Sequence, residues 1–150
     1  AASTGFDWPN ISGVLDKVHT LKATRDEAGE LCGVGAPTNR QLPGVAKRLH
    51  GRGVDRVFIS LGPEGVFFSD GIEQGTEKVK PSAGRVENAS GAGDALVAGL
   101  AHAWLNEWSL QKSIQFALSA ADIALAHPAT INPNLTADTV NELYEARYVG

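Results

Sequence analysis

The stretch Asn88-Ala89-Ser90-Gly91-Ala92-Gly93-Asp94 runs directly into Ala95-Leu96-Val97-Ala98-Gly99-Leu100, so a glycine-rich turn opens a helical pattern. The first N–H groups of a helix lack intrahelical partners, and with the positive end of the helix dipole they form an anion site suited to phosphate. Gly91 and Gly93 carry no Cβ, which lets a ligand come close to the backbone. Asp94 sets the stretch apart, because a carboxylate in the first turn is favoured by the dipole. Phosphoryl transfer to an alcohol needs a charge stabiliser and a proton acceptor side by side, and this segment offers both. A purely structural reading competes: Ser90 as an N-cap, the glycines as turn formers and Asp94 as a complement to the dipole.

Composition narrows the setting. A chain of 150 residues is long enough to bury about 70% of its unfolded surface as one domain. With 43% hydrophobic and 20% charged residues it reads as a soluble globular protein. A net charge of −4 without a basic cluster argues against nucleic-acid and membrane-surface binding. Cys32 is the single cysteine, which excludes an intrachain disulfide and suits a reducing, cytoplasmic compartment. No apolar run reaches the roughly 18 residues of a membrane span. The chain starts Ala1-Ala2-Ser3 and has no methionine, so a processed product or a piece of a longer chain is expected.

In chain order, residues 1–10 read as a poorly ordered lead-in, and Ile11, Val14, Leu15 and Val18 suggest a short amphipathic helix. Residues 18–23 alternate like a strand. Thr24 and Glu27 form a capping-box pattern for a helix running through Leu31. After a loop at 35–43, Val45 and Leu49 mark a helix ending near residues 51–53. Val57 to Leu61 is a buried-type strand, Gly62-Pro63-Glu64-Gly65 a turn, residues 66–69 a second strand, and Asp70-Gly71 a further turn. Short strands are expected at 76–80 and 85–87. A helix over about 91–106 carries Leu96, Leu100 and Trp104 as its core stripe. Ser109 can cap the next helix, with Ile114, Leu118, Ala121 and Leu125 on one face, and Thr136 the last, with Val140, Leu143 and Tyr144. His102 and His127 have no ligand-spaced partner and read as structural. Strands alternating with helices give an α/β layered domain with a largely parallel sheet. A dinucleotide-binding dehydrogenase is disfavoured, since no G-x-G-x-x-G follows an N-terminal strand.

The string from Asn88 to Asp94, with Ala95 and the small pair Ala98-Gly99, resembles the C-terminal signature of the PfkB (ribokinase-like) carbohydrate kinases, D-T-x-G-A-G-D-x-F. The G-A-G-D core is intact, while Asn88, Ala89 and Leu96 stand at the usual Asp, Thr and Phe. The segment T-L-K-A-T-R-D-E-A at 20–28 is similar to the family's K-P-N-x-x-E-A, with Glu27 matching and Thr24 in place of the Asn. Ser60-Leu61-Gly62-Pro63-Glu64-Gly65-Val66 resembles its strand–G-x-x-G–strand element, which borders the nucleotide. The strings A-T-I-N-P-N-L-T at 129–136 and H-T-L-K-A-T at 19–24 look most like the branch that phosphorylates pseudouridine.

The resemblance covers the chain from about Val18 onward and the C-terminal half of the family's fold, without its N-terminal half and β lid. It implies a lead-in at 1–17 and, over 18–150, the nucleotide-binding and catalytic part of a kinase. Asp94 would be the general base, and the N–H groups of Gly91, Ala92 and Gly93 would hold phosphoryl charge. Glu27 would position magnesium through water. Thr24, Glu27, Ser60, Gly62, Gly65, Asn88, Ile131 and Asn132 would line the nucleotide. ATP, magnesium and a monovalent cation are the implied ligands, with a sugar or nucleoside as acceptor. Pseudouridine leads, ahead of ribose, fructose or a keto-deoxy sugar acid, and a non-catalytic nucleotide-binding module is the alternative of another class. The isolated chain would expose a sheet edge and so self-associate or recruit the missing half, binding nucleotide weakly without turnover.

Overall fold

The computed structural model describes residues 19–78, 89–125 and 136–149. The chain divides into two compact units, Ala1–Lys78 and Val79–Gly150. The expected lead-in, the short helix ending at Val18, the strand at 85–87, His127 and the site candidates Asn88, Ile131 and Asn132 lie outside the described residues.

The first unit contains strand β1 (Thr20–Thr24), helices α1 (Arg25–Leu31) and α2 (Leu42–Gly51), and strands β2 (Arg56–Ser60), β3 (Val66–Ser69) and β4 (Gln74–Glu77). They form one sheet in the order β1-β2-β3-β4. Its sense is mixed rather than largely parallel: β1 and β2 pair in parallel, whereas β2–β3 and β3–β4 are antiparallel. Link length decides this. Parallel neighbours need a crossover of a dozen or more residues, which α1 and α2 provide between β1 and β2. The links 61–65 and 70–73 permit only hairpins. Strand β4 starts two residues before the expected position, because Phe68 and Ser69 take Gly75 and Gln74 as register partners.

Helices α1 and α2 pack on one sheet face through Ala28, Leu31, Leu42, Val45 and Leu49 against Val57, Ile59 and Phe67. Phe58 and Phe68 are paired in register and buried as well. Each such side chain contributes about 1.5–3 kcal/mol by leaving water. Two arginines of the α2 region finish α1: Arg48 Nη1 donates to the Cys32 carbonyl at 3.1 Å, and Arg52 Nη1 donates to that of Leu31. They satisfy acceptors that a helix end leaves open. Cys32 itself is buried, and burial pushes its thiol up, against the smaller opposing pull of Arg52 and Arg48. Below β2, His50 Nδ1 lies 2.8 Å from the Val54 carbonyl oxygen and Nε2 lies 2.8 Å from Ser69 Oγ, which also accepts from the Gly71 N–H at 3.2 Å.

The second unit contains helices α3 (Ala89–Leu105), α4 (Leu110–Leu125) and α5 (Ala137–Tyr144), the last followed by a π turn at Glu145–Val149. Helices α3 and α4 come so close at Gly99 that a Cβ there would lie 2.7 Å from the Ala117 Cα. Ala95, Phe116, Ala120, Val140 and Tyr144 form a buried cluster. His102 stacks on Phe116 with ring centroids 5.2 Å apart, which accounts for it structurally. The Asp122–Arg147 pair, 2.7 Å apart and mostly shielded from solvent, links α4 to the C-terminal turn. Thr136 caps α5 as expected, reciprocally with Thr139.

Two expectations for α3 are corrected. It begins at Ala89, two residues early, which moves Asp94 from the first turn to the second. Its stripe continues from Leu96 and Leu100 to Ala103, and Trp104 is 48% exposed. Eight residues at 3.6 per turn rotate Trp104 about 80° from Leu96, whereas Ala103 stays within about 20°.

Candidate active site

The carboxyl ends of β1 and β2 lie side by side, because Thr24 and Ser60 are register partners in this parallel pair. Open α/β sheets bind ligands at the carboxyl ends of parallel strands, so this edge is where a nucleotide is sought first. Thr24 closes β1 and caps α1. Its Oγ1 accepts from the Glu27 N–H at 3.2 Å, and its own N–H donates to Glu27 Oε2 at 2.9 Å. Both groups of the capping box are therefore engaged with each other, and Glu27 is held half-buried at the start of α1. Ser60 Oγ donates to the Ala23 carbonyl at 3.4 Å, a bond across the two strand ends.

The chain leaves β2 through a tight helical turn at Gly62–Glu64. Its two glycines differ. Gly62 has φ +64° and open space where a Cβ would stand, so a ligand can approach its backbone. Gly65 has φ +111°, and a Cβ there would collide with the Glu77 carbonyl oxygen, so its bareness is already required by β4. The turn is tied to α1 by side chains. Arg25 Nη2 donates to Asn39 Oδ1 at 2.9 Å and to Glu64 Oε2 at 3.2 Å. Asn39 Nδ2 donates to the same Glu64 oxygen at 3.0 Å, and Arg25 Nη1 donates to the Pro37 carbonyl at 2.8 Å. Sequence reading passed over Arg25, Asn39 and Glu64. The link joins residues 39 positions apart, and no local pattern marks it.

The first unit thus gathers Thr24, Glu27, Ser60, Gly62 and Gly65. Gly91, Ala92, Gly93 and Asp94 belong to the second unit, where Asp94 is exposed on α3. A helix starting at Ala89 places the Gly93 N–H four residues after the Ala89 carbonyl, so the helix ladder takes up that expected donor. Among the described residues no group of three or more His, Cys, Asp or Glu could hold a metal ion. Glu27 fits the magnesium reading in its looser form, because magnesium keeps several waters and binds through one or two carboxylates plus substrate phosphates. No helix among the described residues is long and apolar enough to cross a membrane.

The model of the pfkB family carbohydrate kinases matches residues 7–137. Pseudouridine kinase of Escherichia coli K12 is 36% identical over 131 residues, a match covering 87% of this chain and 42% of that protein. A crystal structure of a candidate sugar kinase from Clostridium perfringens superposes with a TM-score of 0.81 at 33% identity, over 93% of this chain and 45% of that one. Arabidopsis thaliana ribokinase complexed with ribose and ATP shares the fold at a TM-score of 0.78 and 24% identity, over 89% and 43% of the two chains. The chain spans less than half the length of each of these proteins.

Proposed function

The chain belongs to the pfkB family of carbohydrate kinases, and from that premise we propose that it forms the nucleotide-binding and general-base half of an ATP-dependent kinase acting on the 5′-hydroxyl of pseudouridine. The observation that carries the acceptor is the 36% identity to pseudouridine kinase over most of the chain. In this reading Asp94 takes the proton of the acceptor hydroxyl as its oxygen attacks the γ-phosphorus, the bond from that phosphorus to the β–γ bridging oxygen breaks, and ADP leaves with the electron pair. The start of α3 receives the charge spread over the transferred phosphoryl oxygens, with Gly91 and Gly93 keeping side chains out of the way. ATP lies along the carboxyl ends of β1 and β2, over Thr24, Ser60 and the open backbone of Gly62. Bound magnesium would neutralise charge on the phosphates, and Glu27 would hold it through water. Asn88, Ile131 and Asn132 remain candidates for the nucleotide's surroundings. Positioning of donor and acceptor in line, with water excluded, supplies most of the rate in such transfers.

The test is an acceptor panel on the polypeptide carrying these residues, with ATP and magnesium. Pseudouridine is expected to turn over faster than uridine, ribose, fructose or a keto-deoxy sugar acid. Preference for a free sugar moves the chain to another branch of the family. ATP binding with no turnover on any acceptor supports a non-catalytic nucleotide-binding module instead.

A further inference from the structure

We propose that Arg25 is a positioning residue for nucleotide binding, which it serves by pinning the Gly62–Glu64 turn to the start of α1; the proposal rests on the kinase reading above. Gly62 offers a bare backbone to a ligand, and Glu27 offers a carboxylate. The two can serve one nucleotide only if the turn after β2 keeps a fixed place beside α1. The backbone bonds of the turn are internal to it: Leu61 N–H to Gly65 O at 2.9 Å, Gly65 N–H to Gly62 O at 3.2 Å, and Glu64 N–H to Leu61 O at 3.4 Å. They shape the turn without tying it to α1. That tie is made by the guanidinium of Arg25, which reaches Pro37, Asn39 and Glu64 at once. Asn39 closes the triangle by donating to the same Glu64 oxygen. A planar fork of donors is suited to meeting several acceptors in fixed directions, which a lysine ammonium on a flexible stem is not.

Direct phosphate binding by Arg25 is the rival explanation, and the geometry disfavours it because both terminal nitrogens are already engaged. The ion pair is partly exposed, with side-chain exposures of 24% for Arg25 and 55% for Glu64. Such pairs contribute little to stability, so removing the charge should leave the fold intact while loosening the turn.

The experiment is calorimetric ATP titration and steady-state kinetics on the wild type, Arg25→Gln, Glu64→Gln and the double variant of the intact polypeptide, each with a melting curve. Each single variant is expected to weaken ATP binding about five- to tenfold, and the double variant no more than the worse single, as coupled partners behave. The loss should appear in KM for ATP with kcat nearly unchanged, melting temperatures should barely move, and Arg25→Lys should restore little. If the charge variants fail to fold, Asn39→Ala carries the same expectation from the neutral corner of the triangle. Glu64→Gln that leaves or tightens ATP binding while Arg25→Gln weakens it makes Arg25 a phosphate ligand and overturns the proposal. Unchanged affinity in the single variants, or fully additive losses, also overturns it. A wild type that binds no ATP overturns the kinase reading together with this one, whereas normal wild-type binding with insensitive variants overturns this one alone.

Discussion

The sheet-bearing unit and the helical unit hold their candidate residues in different ways. In the first, Thr24 and Ser60 are register partners, Glu27 is locked in a capping box, and the 62–65 turn is roped to α1 through Arg25, Asn39 and Glu64. In the second, Asp94 stands exposed on a helix whose position is set by packing elsewhere along its length, at Ala95, Leu96, Gly99 and Leu100. A site residue that also caps a helix or fills a backbone contact cannot be changed without disturbing the scaffold. One that projects from a packed helix can. Substitutions at Thr24, Glu27 and Gly65 should therefore mix stability with nucleotide affinity, those at the partly exposed Arg25–Glu64 pair should touch affinity with little effect on stability, and those at Asp94 should separate chemistry from both.

The sharpest way to break that contrast is Asp94→Asn. If the carboxylate is the base, turnover should fall by ~10²–10⁴-fold while ATP affinity and melting temperature hold. Substantial retained activity, or a collapse of stability, would end the distinction between the units. Next comes Gly65→Ala, which combines a backbone conformation reserved for glycine with a collision against Glu77. It should cost about 3 kcal/mol, read by denaturant unfolding. Gly62→Ala, in open space at φ +64°, should cost about 1–2 kcal/mol and act mainly on nucleotide affinity. Equal effects of the two would contradict the division of labour between these glycines.

In the helical unit, Gly99→Ala should force α3 away from Ala117. Overpacking of about 1–3 kcal/mol is offset in part by the better helix propensity of alanine, worth about 1 kcal/mol, so a modest loss of stability is expected. The smallest effect concerns Asp70. Burial pushes its carboxyl up, but the N–H groups of Glu73 and Ile72 and the charge of Arg56 together hold it below the usual carboxylate range. A group depressed in the folded state stabilises above its unfolded pKa of about 4, and that contribution fades as pH falls through the folded value. Asp70→Asn should therefore flatten the acid limb of the stability profile slightly, and an unchanged limb would show that the turn is held by other bonds.

What could be read in advance followed the range of the interactions. The caps at Thr24 and Thr136 depend on residues three apart, and both were legible. The strand at 66–69 was legible because β-branched and aromatic residues sit between two turns. The mixed sense of the sheet was implicit in the same hairpins, yet alternation of strands and helices suggested parallel pairing. Helix α3 starts before its glycines because Ala89 and Ser90 can take helical backbone as readily as a turn, and nothing local separates the two outcomes. Trp104 was misplaced by counting in fours along a 3.6-residue helix. Arg25, Asn39 and Glu64 could not be found this way, since three separate segments meet only once the sheet has formed. For the candidate site, Asp94, Glu27 and Gly62 are proposed from their residue types and neighbours in sequence, whereas the side-chain links that hold the 62–65 turn leave no local mark.

The contacts around His50 carry one more consequence, a matter of direction. The Val54 carbonyl can only accept, so the proton on the ring belongs at Nδ1, as assigned from the network. In the neutral ring Nε2 is then an acceptor, and the Ser69 hydroxyl must point its hydrogen there while taking the Gly71 N–H on its oxygen. Every donor in the series faces the same way, from Gly71 through Ser69 and His50 to Val54. Each bond polarises the next, so the turn after β3 and the link into β2 are joined by a one-way chain that no single member can reverse alone.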